Sequence, residues 1–123
     1  MNTYTETEKE QALGVIESVV GRCEKVWPKF AEGTSQHSLL KNRIKALYIA
    51  KALISGEEKR DGYGKGELQQ ALAPIESIIS KCEKARLKFE DGSSHYIRFS
   101  KMIEAMDIAK AYIRDAINNR ELG

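Results

Sequence analysis

Four side chains of this sequence could bind a soft metal ion or attack an electrophile: Cys23, Cys82, His37 and His95. Zinc sites commonly hold such groups at C-x-x-C or H-x-x-x-H spacing, and none of the four stands at that distance from another. No pattern supplies a nucleophile with its base, paired carboxylates or a cofactor fingerprint either. We therefore expect no metal, no cofactor, no small-molecule ligand and no catalytic activity.

A glycine-rich segment, GYGKG at residues 62–66, has the composition of some phosphate-binding loops. It lacks the G-x-x-x-x-G-K-[ST] spacing, and no strand pattern precedes it. Polar residues and glycines continue back to Gly56, which is typical of a flexible connection. We interpret residues 56–66 as a linker.

Arg43 is the residue most able to change the chemistry of a thiol. It falls at the centre of an apolar helix face, at about the height of Cys23 on the preceding helix, and a nearby cation lowers a thiol pKa. Alternatively, the stem of Arg43 packs on the core and its head reaches the surface. In that case Cys23 and Cys82, which hold the same position in two similar halves, are small buried hydrophobes.

A small basic patch is predicted on the same helix. Lys41, Lys45 and Tyr48 are spaced i, i+4, i+7 and so share one face. This face is either a solvated surface or a site for nucleic acid or another acidic partner. The corresponding positions of the second half are Ser100, Glu104 and Asp107.

Trp27 either seals one end of the fold or anchors a protein interface, where tryptophan is enriched. Trp27 and His37 are both expected near the turn at Gly33. Residues identical in the two halves satisfy packing, so a function of one half should lie among the mismatches. We define the predicted first-hairpin surface as Trp27, His37, Lys41, Arg43, Lys45 and Tyr48.

An internal repeat positions these residues. Residues 12–54 align with residues 71–113 without a gap, and 19 of the 43 aligned pairs are identical. A period of this length that occurs only twice indicates one duplicated helical hairpin rather than a solenoid.

Apolar residues recur at steps of four and three in the first helix of each hairpin, and the second helices are amphipathic too. A capping box is expected at Thr5 or Thr7, and Gly33 and Gly92 are expected to end the first helices. Pro74 predicts a kink or a late helix start. The predicted apolar seams of the first helices are Ala12, Ile16, Val19, Cys23, Val26 and Phe30, then Ala71, Ile75, Ile78, Cys82, Ala85 and Phe89. The apolar face of the second helix in the first hairpin includes Leu39, Leu40, Leu47, Ala50, Leu53 and Ile54. Ile44 and Ile49 widen this face, which predicts either close packing on two sides or a dimer surface.

The length of 123 residues suits one domain, and the net charge of +2 gives no global reason to bind nucleic acid or membrane. The polar N-terminus predicts no signal peptide, and we expect a soluble cytoplasmic protein with free thiols. The fold prediction is one all-α domain over residues 1–123, a four-helix bundle of two tandem hairpins (about 7–55 and 67–118), with up-down-up-down order favoured. The predicted function is an interaction or regulatory module that binds a protein partner or a second copy through a helical face; the alternative is nucleic-acid or acidic-partner binding.

Overall fold

A computed structural model describes residues 4–57 and 62–122, with side chains as far as residue 119. Within these ranges lie four α-helices: α1 (Glu6–Val26), α2 (Ser35–Ser55), α3 (Lys65–Arg86) and α4 (Ser94–Leu122). The described residues contain no strand, so the prediction of an all-α chain with four helices is confirmed there. None of these helices has the length and apolar character needed to cross a membrane. Residues 58–61 of the predicted linker lie outside the described residues.

Hydroxyl side chains begin three of the helices. The Thr5 hydroxyl accepts a hydrogen bond from the Glu8 amide at 3.1 Å, and the Glu8 carboxylate accepts one from the Thr5 amide at 3.0 Å. This reciprocal box, rather than the alternative at Thr7, fixes the start of α1. The hydroxyls of Thr34 and Ser93 likewise accept from backbone amides three residues on, which begins α2 and α4.

The glycines predicted to end the first helix of each hairpin lie beyond the true helix ends. α1 ends at Val26 and α3 at Arg86, whereas Gly33 and Gly92 occupy later turns with φ of 92° and 85°. Those left-handed values explain why glycine stands at both positions. The predicted helix ends were nevertheless wrong by several residues.

The two prolines behave differently from each other. Pro28 has no N–H to continue the α-helical ladder, and the chain tightens there into a 3-10 turn at Trp27–Lys29. Pro74 stays inside α3, which begins nine residues earlier at Lys65, so the predicted late start at this proline is wrong.

One cluster of buried side chains receives residues from all four helices. α1 packs against α2 and α4, α3 packs against the same two helices, and α2 also meets α4 across the centre. No Cα atom of α1 lies within 8 Å of a Cα atom of α3. The helices therefore follow one another around the core in chain order, and the boundaries α1/α4 and α2/α3 lie on opposite sides.

The predicted seams are buried in the middle of the helices and exposed at the turn end. Ile16 and Ile75 are fully buried, whereas Val26 is 40% and Phe89 37% exposed. Leu39, predicted on the apolar face of α2, is 55% exposed. These three predictions were wrong because α1 and α3 end before the turns; Phe89, which follows the end of α3, stacks on His95 and Phe99 instead of entering the core.

The broad apolar arc of the second helices is used inside the molecule. Ile49 and Ile108 are buried, and the two helices that carry them each contact the other three helices. Packing against neighbours on both sides therefore accounts for the burial of these two residues.

Candidate functional site

Trp27 and His37 lie on either side of the first hairpin's turn and stack on each other. Their ring centroids are 5.0 Å apart with an interplanar angle of 32°. The residues 59 positions later, Arg86 and Tyr96, make the equivalent contact, with the guanidinium carbon 5.3 Å from the ring centroid. Both turns are thus held by a flat side chain stacked on another, which is a structural use for Trp27.

The charge of Arg43 acts on both thiols. Burial raises the pKa of the Cys23 thiol, and the charges of Arg43 and Arg22 oppose this rise without reversing it. Burial also raises the pKa of the Cys82 thiol, against the charges of Arg22, Arg43 and Arg98. Both cysteines are buried and free. Because the thiolate is the reactive form, these thiols are weak nucleophiles, and the activated-thiol alternative finds no support.

Two of the three residues of the predicted basic patch contact carboxylates of the helices on either side of α2. The Lys45 ammonium lies 3.8 Å from the Glu67 carboxylate of α3. The Tyr48 hydroxyl donates a hydrogen bond of 3.1 Å to the Glu24 carboxylate of α1. Lys41 is exposed. Carboxylates of the neighbouring helices therefore flank the basic part of the first-hairpin surface.

A large groove that the sequence analysis missed runs between α1 and α4. Its volume is about 970 Å³. The partly buried Val15 and Met102 and the buried Ala12, Ala105 and Ile108 line it on the apolar side. Ile97 is 44% exposed at its mouth. The shape is an open channel with apolar walls rather than an enclosed cavity.

Charged side chains divide this α1/α4 groove into two ends. The cationic end has Arg22, Arg98 and Lys101, and the anionic end has Glu8, Glu104 and Asp107. Within the described part of the chain, none of the six forms an ion pair within 4 Å. Their charges thus remain available to an incoming molecule.

No ion pair crosses the α1/α4 boundary among the side chains that the structure describes. A stack of Tyr4 on Tyr112, with centroids 6.2 Å apart, covers one end of it. Every other boundary between neighbouring helices carries an ion pair. These are Lys51 with Glu17 at 3.4 Å for α1/α2, Lys45 with Glu67 at 3.8 Å for α2/α3, and Lys110 with Glu76 at 4.0 Å for α3/α4.

A second, smaller groove of about 460 Å³ lies at the α2/α3 boundary. Each of its described lining residues stands 59 positions from a lining residue of the α1/α4 groove. The rims differ in sign at one place, where Lys45 of α2 corresponds to Glu104 of α4. Lys45 pairs with Glu67, but Glu104 shares its rim with Glu8, the counterpart of Glu67. Two like charges cannot form the ion pair that spans the smaller groove.

Two glycines inside α1 have open space beside them among the residues that the structure describes. A Cβ atom added at Gly14 or Gly21 would meet nothing within 4 Å, and neither residue has a positive φ. Glycine inside a helix costs roughly 0.5 to 1 kcal/mol relative to alanine. Gly14 lines the α1/α4 groove, and Ser18 follows it one turn later. Small residues on a helix flank let another helix approach closely.

The sequence shows that Glu104 stands where the first half has Lys45. Only the structure shows that this change removes an ion pair across the groove. Among the described residues, no three His, Cys, Asp or Glu side chains come together as a metal site. The arrangement of the α1/α4 groove suits docking of an apolar surface between two charged ends.

The chain matches no family model, no curated protein and no solved structure with which it was compared.

Proposed function

We propose that this chain is a helical interaction module that binds an amphipathic helix of a protein in the α1/α4 groove. The observation that carries the proposal is the unbridged boundary: an apolar channel of about 970 Å³ with unpaired charges on its rim. Helix-in-groove recognition uses such a channel for apolar side chains at i, i+3, i+4 and i+7. The role is binding rather than catalysis.

The small residues of α1 support the same proposal. Because Gly14 and Ser18 have small side chains, the backbone of a docked helix can come close to the backbone of α1 at these positions. Their counterparts in the smaller groove are Ala73 and Ser77. A stability cost at Gly14 that the fold does not require is consistent with a requirement imposed by a partner.

We propose further that the four helices form an up-down-up-down bundle that arose by duplication of one hairpin. Support comes from the matching helix starts at Ser35 and Ser94, which differ by the repeat period of 59 residues, and from the correspondence of the two grooves. The order of contacts around the core agrees with this arrangement.

The first-hairpin surface stays a prediction as a binding site, as does a cytoplasmic location. The nucleic-acid alternative is less favoured, because carboxylates lie beside Lys45 and Tyr48 and would repel phosphates.

A photo-crosslinking amino acid at Gln11 tests the proposal, with Gln70 as the matched control. Both glutamines are exposed, each lines one of the two grooves, and they occupy equivalent positions. In native host cells, we expect the probe at position 11 to capture a polypeptide whose cross-linked segment, mapped by mass spectrometry, is an amphipathic helix. The probe at position 70 should capture none. Equal capture at both positions, or no polypeptide at position 11, would refute groove docking.

A further inference from the structure

The charges of the α1/α4 groove are balanced about its midpoint. On α1, Glu8 and Arg22 each lie seven residues from Val15. On α4, Lys101 and Glu104 lie on either side of the midpoint between residues 102 and 103. Arg98 and Asp107 continue the same balance farther out. Each charge therefore has an opposite charge at the same distance beyond the centre.

The midpoints of the two helices lie at the same height. Tyr4 stacks on Tyr112, while Arg22 shares the groove with the start of α4 at Ser94, so the two helices are antiparallel. Nine helical steps separate Glu6, the first residue of α1, from Val15, and nine and a half separate Tyr112 from the midpoint of α4. At about 1.5 Å per step, these two helical lengths are nearly equal.

From this balance we infer that the partner is a second copy of this chain, whose own α1 and α4 cover the α1/α4 groove about a two-fold axis that crosses it at the level of Val15. The inference rests on the groove being the docking site proposed above. This two-fold axis reverses the direction of the helices in the second copy, so the anionic end of its groove meets the cationic end of the first copy's groove. Glu8 then faces Arg22 of the second copy, and Lys101 faces Glu104 of the second copy.

The small residues fit this placement. Gly14 is next to Val15, so it lies at the axis, where the two α1 helices come closest. Its missing side chain leaves space there, since no described residue occupies it. A partner helix of uniform charge would instead be repelled by the end of the groove that carries the same sign of charge. The alternating ends therefore favour a second copy over a purely basic or purely acidic helix.

Sedimentation equilibrium of the full chain, from 1 to 500 μM at low salt, tests the inference. We expect a monomer–dimer equilibrium, with Kd raised at least tenfold by Lys101→Glu alone and by Glu104→Lys alone. An equimolar mixture of these variants should return to within about threefold of the wild-type Kd, because the introduced glutamate meets the introduced lysine across the axis. Asn42→Glu, at the position of the smaller groove equivalent to Lys101, should leave Kd unchanged.

The possible results separate the two proposals. A chain that stays monomeric at 500 μM refutes the second copy, whereas capture of a different protein at position 11 would still support groove docking. A dimer insensitive to both single variants, or one not restored in the mixture, refutes the two-fold arrangement. Circular dichroism of each variant establishes that loss of dimer is not loss of fold.

Discussion

The ammonium group of Lys45 lies 3.8 Å from the carboxylate of Glu67 and bridges the rim between α2 and α3. The equivalent rim between α1 and α4 has glutamate at both positions. The difference between a bridged and an open boundary thus depends on the sign of one side chain.

Glu104→Lys should supply the missing ion pair, with Glu8 as its partner. Relief of repulsion and a new surface pair should raise the free energy of unfolding by up to about 1 kcal/mol. Urea unfolding at low protein concentration measures it, and 1 M NaCl should remove the gain. Lys45→Glu is the reverse change on the other rim and should destabilise by a similar amount. A gain that persists unchanged in 1 M salt would contradict the electrostatic explanation.

Gly14→Ala should stabilise the monomer by roughly 0.5 to 1 kcal/mol, because the added methyl group meets open space and the helix propensity improves. Thermal or urea unfolding provides the measurement. Gly33→Ala is the control and should destabilise, since the φ of 92° at that turn strains any residue with a Cβ atom. A destabilising effect at Gly14 would show that the glycine serves the fold of the free chain after all.

Arg43→Met should stabilise the chain by about 1 kcal/mol. The Nε atom of Arg43 is buried with no hydrogen-bond partner among the described residues, and methionine is the counterpart at Met102. The same change should raise the pKa of Cys23 further, because Arg43 is the main group that opposes the effect of burial there. Urea unfolding and thiolate absorbance measure the two effects. Arg43→Ala leaves a void and should destabilise instead; equal effects of the two substitutions would contradict the proposed cause.

The thiols should react slowly with DTNB at neutral pH and should not form a disulfide with each other. A disulfide needs Cα atoms about 4.4 to 6.8 Å apart. Cys23 and Cys82 are farther apart than this, since no Cα atoms of α1 and α3 approach within 8 Å. Unfolding in urea should release both thiols. Rapid labelling of native protein, or a disulfide-linked monomer after oxidation, would contradict the burial of these residues.

Raised thiol pKa values also make stability depend on alkaline pH. The unfolded chain loses its thiol protons near the ordinary value of 9.0, while the folded chain holds them to higher pH. The stabilising contribution is therefore fully present below about pH 9 and is lost as pH rises through the folded-state pKa values. Urea unfolding from pH 7 to 10.5 should show this decline. In the Cys23→Ala, Cys82→Ala double variant the decline should be smaller; an identical profile would refute the assignment to the thiols.

Features that depend on local periodicity could be predicted from the sequence, whereas features that depend on contacts between two helices could not. The helical pattern around Ile16 and Ile75 repeats strongly enough to predict four helices and buried centres. The end of α1 was misplaced because Gly33 is a clear turn signal that lies after a 3-10 turn. The α1/α4 groove was missed because the effect of Glu104 depends on Glu8, a residue of another helix that lines the same rim.

The stack of Trp27 on His37 gives the two hairpins different optical properties. Trp27 is the single tryptophan of the chain, and its counterpart is Arg86. Indole emission consequently reports on the turn of the first hairpin alone, while far-ultraviolet ellipticity reports on helices of both. If the hairpins melt as one cooperative unit, the two signals will follow the same transition curve; if the second hairpin opens first, ellipticity will fall while the emission of Trp27 stays that of the folded turn.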